Sequence, residues 1–326
     1  MADFNQFELI VNLIVQGIGS WAVLPMKFFS FFGAEEWYLI VFPAVFWCVS
    51  PMVGLRLGFI LLVSSSSNTF FKLIFHSPRP YWLSLRVQAY VAETSFGLPS
   101  GHSQTSAAIW GFLASAMRHR WFTAVCILMI FLIGLSRLFL GVHFLSDVLL
   151  GWALGGLTLL LFTRFEPGVT AWVKRSATRQ LAWAIAAFSL LLTLLIALPA
   201  LALQTWPIPA EWSANALAAT TAAPIAPFNF DAAFTTGGLS VGLLFGVLWT
   251  ERQRGGYALG GSFKTKALRY LLGVAVLVVL WYGLGRIFPR TQDLLAYSLR
   301  TLRYALLGLW VSAFAPILFK RLHLDL

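Results

Sequence analysis

What most constrains this chain is a succession of uncharged apolar runs, several approaching the roughly 20 residues that cross a bilayer's hydrocarbon core as a helix. Inside lipid only helices and closed barrels satisfy their own backbone polar groups. The runs are long and uninterrupted rather than alternating, which selects helix. Composition agrees: 59% of residues are hydrophobic and only 11% are charged, against about 25% charged in a soluble domain. The expected fold class is therefore all-α, a polytopic helical membrane protein.

Taken in order, residues 4–33 are amphipathic and broken by Gly17, Gly19 and Pro25, which predicts one or two interfacial helices with Lys27 near the headgroups. Nine spans follow, at about 36–52, 55–75, 101–117, 121–140, 143–163, 181–203, 232–250, 270–288 and 296–318. The second carries a polar patch, Ser64 to Thr69, read either as helix–helix packing or as the wall of a wet cavity beside Lys72. Gly151 and Gly155 read as a close helix contact, Trp206 and Trp212 as interface anchors, and Cys48 and Cys126 as buried packing thiols. The N-terminus has no basic region and is not expected to be a cleaved signal peptide. This gives three regions: 1–35 interfacial, 36–203 a six-helix core, and 204–326 a C-terminal transmembrane extension.

The formal net charge of +11 does not require nucleic acid, because basic residues in a membrane protein first report topology and anionic lipid. If the spans alternate, one side receives fourteen basic residues (Arg56, Arg118, Arg120, Arg164, Lys174, Arg175, Arg179, Arg252, Arg254, Lys264, Lys266, Arg269, Lys320 and Arg321). The other side keeps six, apart from the basic residues discussed next. The richer side is the cytoplasm of a cell membrane, and the loop before residue 101 then faces outward.

Three polar clusters stand out against the apolar background. They are Lys72 with Arg79-Pro80, then Pro99-Ser100-Gly101-His102, then Ser136-Arg137 with His143 and Asp147. By the alternation above, all three lie at the outer face. Ser100 is a good N-cap for a helix beginning at Gly101, and such an N-terminus favours an anion. Lys72, Arg79 and Arg137 supply three cations, two of them able to grip phosphate oxygens bidentately. His143 and Asp147 are four apart, so a helix puts them on one face, where the carboxylate fixes the imidazole tautomer and leaves the other nitrogen free to attack. His102 then serves as the proton donor to the leaving oxygen. Two histidines and a carboxylate are possible metal ligands, but three neighbouring cations argue against a metal, and none is expected. Glu93 reads first as a salt-bridge partner of a nearby arginine and second as a substrate-facing group, and His76 as a loop residue.

The pattern Lys-x6-Arg-Pro, Pro-Ser-Gly-His, Ser-Arg-x5-His-x3-Asp resembles the type 2 phosphatidic acid phosphatase family at every signature position, over about residues 37–200. The resemblance implies a metal-independent phosphatase, with no cofactor, that works through a phosphohistidine. By position it implies His143 as nucleophile, Asp147 as its orienting partner, and His102 as general acid and then base. Lys72, Arg79, Ser100, Gly101 and Arg137 become the phosphate cradle. The expected substrate is a lipid phosphate or pyrophosphate, with undecaprenyl pyrophosphate favoured, phosphatidic acid or phosphatidylglycerol phosphate next, and a lipid A or sphingoid phosphate after them. A water-soluble phosphoester, a haloperoxidase and a lipid transporter built on a phosphatase-like core are the rivals.

Overall fold

The computed structural model describes residues 2–219, 221–257 and 260–324, and every regular element among them is a helix. In chain order the helices are α1 (Ala2–Gln16), α2 (Val23–Phe31), α3 (Glu35–Cys48), α4 (Pro51–Phe75), α5 (Pro80–Leu83), α6 (Gly101–Met117), α7 (Arg120–Phe139) and α8 (Leu145–Arg175). They continue as α9 (Thr178–Ala202), α10 (Ala210–Ala218), α11 (Asp231–Arg254), α12 (Phe263–Val278), α13 (Leu284–Ile287), α14 (Leu294–Leu309) and α15 (Ala315–Arg321). Single wider turns, Val279–Gly283 and Trp310–Phe314, join α12 to α13 and α14 to α15. The side chain of Arg254, counted above among the basic residues, lies outside the described residues.

Among the described residues, seven helical stretches are long and apolar enough to cross a membrane, and an eighth if the pair Gln6–Gln16 and Ser20–Phe31, bent by 85°, counts as one. Two of the nine predicted spans are shorter helices. The first is α3, of 14 residues with Pro43 inside it, and the third is α6, of 17 residues. The predicted break near the N-terminus falls at Gly17 to Gly19, where Gly19 takes a φ of 107° that other residues resist. Pro25 does not break the chain. It is the third residue of α2, where its missing N–H has no helical partner to lose. The predicted fifth span ends at 163, but α8 runs on to Arg175 past Pro167.

The chain forms two compact units. One is built from the chain through Trp37, Val63–Thr163 and Leu198–Asn229. Its core centres on Trp82, Phe96, Phe139, Leu140 and Val142, with Trp206, Trp212 and Phe228 packed around them. Trp206 and Trp212 thus join an aromatic cluster that includes the His76 ring, stacked 5.1 Å from Trp206. In the same unit α8 lies close against the start of α6, as the Gly151 and Gly155 spacing predicts. A Cβ on Gly151 would sit 2.7 Å from the Ser100 carbonyl oxygen, and one on Gly155 2.3 Å from that of Gln104. Cys126 is fully buried.

The second unit holds Tyr38–Leu62, Arg164–Ala197 and the chain from Phe230 on. There α11 and α14 meet backbone to backbone, with a Cβ on Gly242 lying only 2.0 Å from the Ala305 carbonyl oxygen. Trp47 donates to the Val311 carbonyl at 2.8 Å, and the buried Arg269 donates to the carbonyls of Trp47 and Gly260. Cys48 is half-buried, its thiol on the Lys266 carbonyl.

The close contact between α6 and α8 can be tested directly. Gly155→Ala is expected to lower stability by about 1–3 kcal/mol, since a methyl group has no room beside a backbone carbonyl. Gly156→Ala, where a Cβ meets nothing within 4 Å, is expected to leave the thermal midpoint in detergent unchanged or slightly raised.

Candidate active site

The three polar clusters come together in the first unit. Ser100 is in extended conformation (φ −68°, ψ 116°) and caps α6, its hydroxyl accepting from Ser103 N. The backbone N–H of Ser100 donates to the Asp147 carbonyl at 2.9 Å, so the start of α6 is tied to the first turn of α8. His143 sits in the connector just before α8 rather than on it, and Asp147 is the third residue of the helix. One carboxylate oxygen of Asp147 accepts from Phe144 N at 2.9 Å, an acidic side chain closing the first turn. The same oxygen lies 3.1 Å from His143 Nδ1. The other imidazole nitrogen, Nε2, is 3.3 Å from an Arg79 Nη1 that can only donate. The pair of contacts assigns one tautomer, with the proton on Nδ1 toward Asp147 and the lone pair on Nε2 among the cations.

Arg79 is 1% exposed and uses its whole guanidinium. It donates to the carbonyls of Ser95 (2.7 Å), Val142 (2.8 Å) and Phe96 (3.1 Å) and to the Ser95 hydroxyl. Lys72 shares the Phe96 carbonyl and reaches that of Gly97. Arg137 donates to the Ser30 hydroxyl at 2.7 Å and pairs with Glu93, while its buried Nε has no hydrogen-bond partner among the described residues. His102 stands in the first turn of α6, and Gly101 beside it packs on Asn68.

The polar patch on α4 forms the floor beneath this loop. Asn68 donates to the Pro99 carbonyl at 3.2 Å and to Gln104 Oε1 at 2.9 Å, and Gln104 donates back to the Ser64 carbonyl and the Ser67 hydroxyl. The contacts bear out the packing reading: the patch packs α4 on α6, and it does so by holding the backbone before His102.

Glu93 is the arginine partner that the sequence suggests. Its carboxylate pairs with Arg137 and lies 3.5 Å from Arg79, so it joins two site cations at once. Burial by itself would raise its pKa. Arg79 and Arg137, with His102 and Lys72 behind them, pull it down to about 2. His143 is held well below the ordinary histidine range by burial first and then by Arg79, Lys72 and Arg137, so its imidazole is neutral at pH 7. Such a site combines a neutral, oriented imidazole with donors and cations that suit a phosphoryl group.

Comparison with known proteins agrees with the motifs. Residues 53–171 match the PAP2 superfamily, and residues 234–325 match the transmembrane extension of PAP2 superfamily phosphatases. Phosphatidylglycerophosphatase B of Bacillus subtilis is 38% identical over 85 residues, covering 23% of this chain and 42% of that protein. Glucose-6-phosphatase 3 of Homo sapiens is 29% identical over 181 residues, covering 45% of this chain and 52% of that one. The chain thus spans about half the length of these curated relatives. Among solved structures, a transmembrane PAP2-type phosphatidylglycerolphosphate phosphatase from Bacillus subtilis is 23% identical, with a TM-score of 0.45 over 52% of this chain and 89% of that one.

Glu93 gives a pH test. Its folded-state value lies below the ordinary 4.5, so the stability it adds is complete above about pH 4.5 and is lost as the pH falls through 2. Glu93→Gln is expected to lower the unfolding midpoint at pH 7, a loss of about 1–3 kcal/mol. The gap between variant and wild type should close as both are acidified. A gap that is the same at pH 3 and pH 7 would show that the carboxylate charge is not what matters.

Proposed function

The chain belongs to the PAP2 superfamily, and on that premise we propose that it is a membrane phosphatase that removes phosphate from a lipid phosphate or pyrophosphate through a phosphohistidine. One observation carries this reading: the neutral His143, fixed by Asp147 at Nδ1, presents Nε2 beside Arg79.

In the proposed step the Nε2 lone pair attacks phosphorus, the phosphorus–oxygen bond to the lipid breaks, and His102 gives its proton to the departing oxygen. Water then attacks the phosphohistidine, His102 takes up a proton from it, and inorganic phosphate leaves with His143 restored. Lys72, Arg79 and Arg137 by their charge, with the backbone N–H groups of Gly101 and His102, stabilise the equatorial oxygens. These cations supply the charge that other phosphatases obtain from a metal, and no step passes through one.

The apolar helices that flank the site suit a substrate whose tail stays in the bilayer. The basic-residue count supports a site at the outer face of a cytoplasmic membrane, in a topology that takes α3 and α6 as crossings. That side supports undecaprenyl pyrophosphate as first candidate, and the likeness to phosphatidylglycerophosphatase B supports phosphatidylglycerol phosphate beside it. The likeness to glucose-6-phosphatase 3 favours a second reading, a water-soluble phosphoester.

Detergent-purified protein in EDTA is expected to release inorganic phosphate from these lipids, and His143→Ala to lower the rate by at least about 10³-fold. Glucose 6-phosphate belongs in the same panel, and release from it alone would select the second reading. A variant as active as wild type would refute the phosphohistidine. Silence from folded wild-type protein on every substrate would refute the phosphatase.

A further inference from the structure

The N-terminal helices precede the segment that matches the PAP2 superfamily, which begins at residue 53. Yet α1 turns a polar stripe at helical spacing, Glu8, Asn12 and Gln16, onto the connector between α7 and α8. Glu8 accepts from Ser146 N at 3.3 Å. Asn12 is 0% exposed, and its amide donates to the carbonyls of both Leu138 and His143 at 3.0 Å. Gln16 donates to the Phe139 and Gln88 carbonyls at 2.8 Å and accepts from Gln88 N. From α2, the Ser30 hydroxyl accepts from Arg137 at 2.7 Å. Just beyond α2, a Cβ on Gly33 would sit 3.1 Å from the side chain of His102.

We infer that α1 and α2 are a working part of the active site, with Asn12 a positioning residue for His143 and Ser30 a positioning residue for Arg137. The inference rests on the phosphatase reading and deepens it. Asn12 bridges the last turn of α7 and the residue that carries the imidazole, and so fixes the connector's span at both ends. Ser30 and Glu93 hold the two terminal nitrogens of Arg137, which sets the plane of the guanidinium. A buried hydroxyl kept only for packing can bond back to its own helix, and a buried amide can bond wherever backbone is unpaired. These two instead hold the residue bearing the imidazole and a cation of the phosphate cradle.

The test compares Ser30→Ala, Ser30→Thr and Asn12→Ala with wild type for thermal midpoint, kcat, KM and inhibition by orthovanadate. Ser30→Ala is expected to raise KM and the vanadate inhibition constant together by about 5–20-fold with kcat little changed, the signature of lost binding to the phosphoryl group. Ser30→Thr, which keeps the hydroxyl, should restore both. Asn12→Ala is expected to lower kcat by about 10–100-fold, the scale for a misplaced reacting group. Wild-type kinetic constants per folded molecule in both alanine variants would overturn the inference, as would losses that track only the folded fraction. Should Asn12→Ala not fold, Ser30→Ala decides alone. Should wild type itself neither release phosphate nor bind vanadate, the phosphatase reading has failed and this inference falls with it. Active wild type with indifferent variants is a failure of the inference alone.

Discussion

Everything around the site follows from placing three cations side by side in an apolar protein. Two unit charges 4 Å apart repel by about 4 kcal/mol at an effective dielectric constant of 20, so Lys72, Arg79 and Arg137 need acceptors. The acceptors are mostly backbone. The carbonyls of Ser95, Phe96 and Gly97 turn toward Lys72 and Arg79, and that of Val142 toward Arg79. The chain between Leu83 and Gly101, which supplies three of these carbonyls, has no regular element.

The second requirement, an oriented imidazole, is built into a helix start. Asp147 closes the first turn of α8 through Phe144 N and holds His143 with the same oxygen, while its own carbonyl accepts from Ser100 N. Two helix N-termini and the histidine are therefore one construction. It works only because α8 approaches α6 closely, which Gly151 and Gly155 permit. A side chain at either glycine would separate Ser100 from Asp147, so packing at the helix interface sets the geometry at its end.

What the sequence made legible was local. The Ser100 cap, the four-residue spacing of His143 and Asp147, the Gly17–Gly19 break and most span limits each depend on a few neighbouring residues. What stayed hidden was long-range. Ser30 meets Arg137 107 positions away, and Asn12 meets His143 131 positions away, and no periodicity reports such pairs. The length of α8 belongs here too. Pro167 is a local stop signal, but within the second unit Glu166 pairs with Arg56 at 2.7 Å, and Arg252 donates to the carbonyls of Val173 and Ser176. Tertiary partners hold the chain on both sides of the proline.

The N-terminal segment shows the limit of amphipathicity as a signal. Apolar and polar faces at helical spacing identify a helix at a boundary, and lipid against water is the usual boundary. The same pattern arises where a helix meets lipid on one side and an irregular polar connector on the other. The stripe Glu8, Asn12, Gln16 meets the second case, because it bonds backbone groups between Leu138 and Ser146, among them the His143 carbonyl and the Ser146 N–H. Hydrophobic period locates the polar face of a helix, and only the unpaired backbone elsewhere in the chain determines what that face is for.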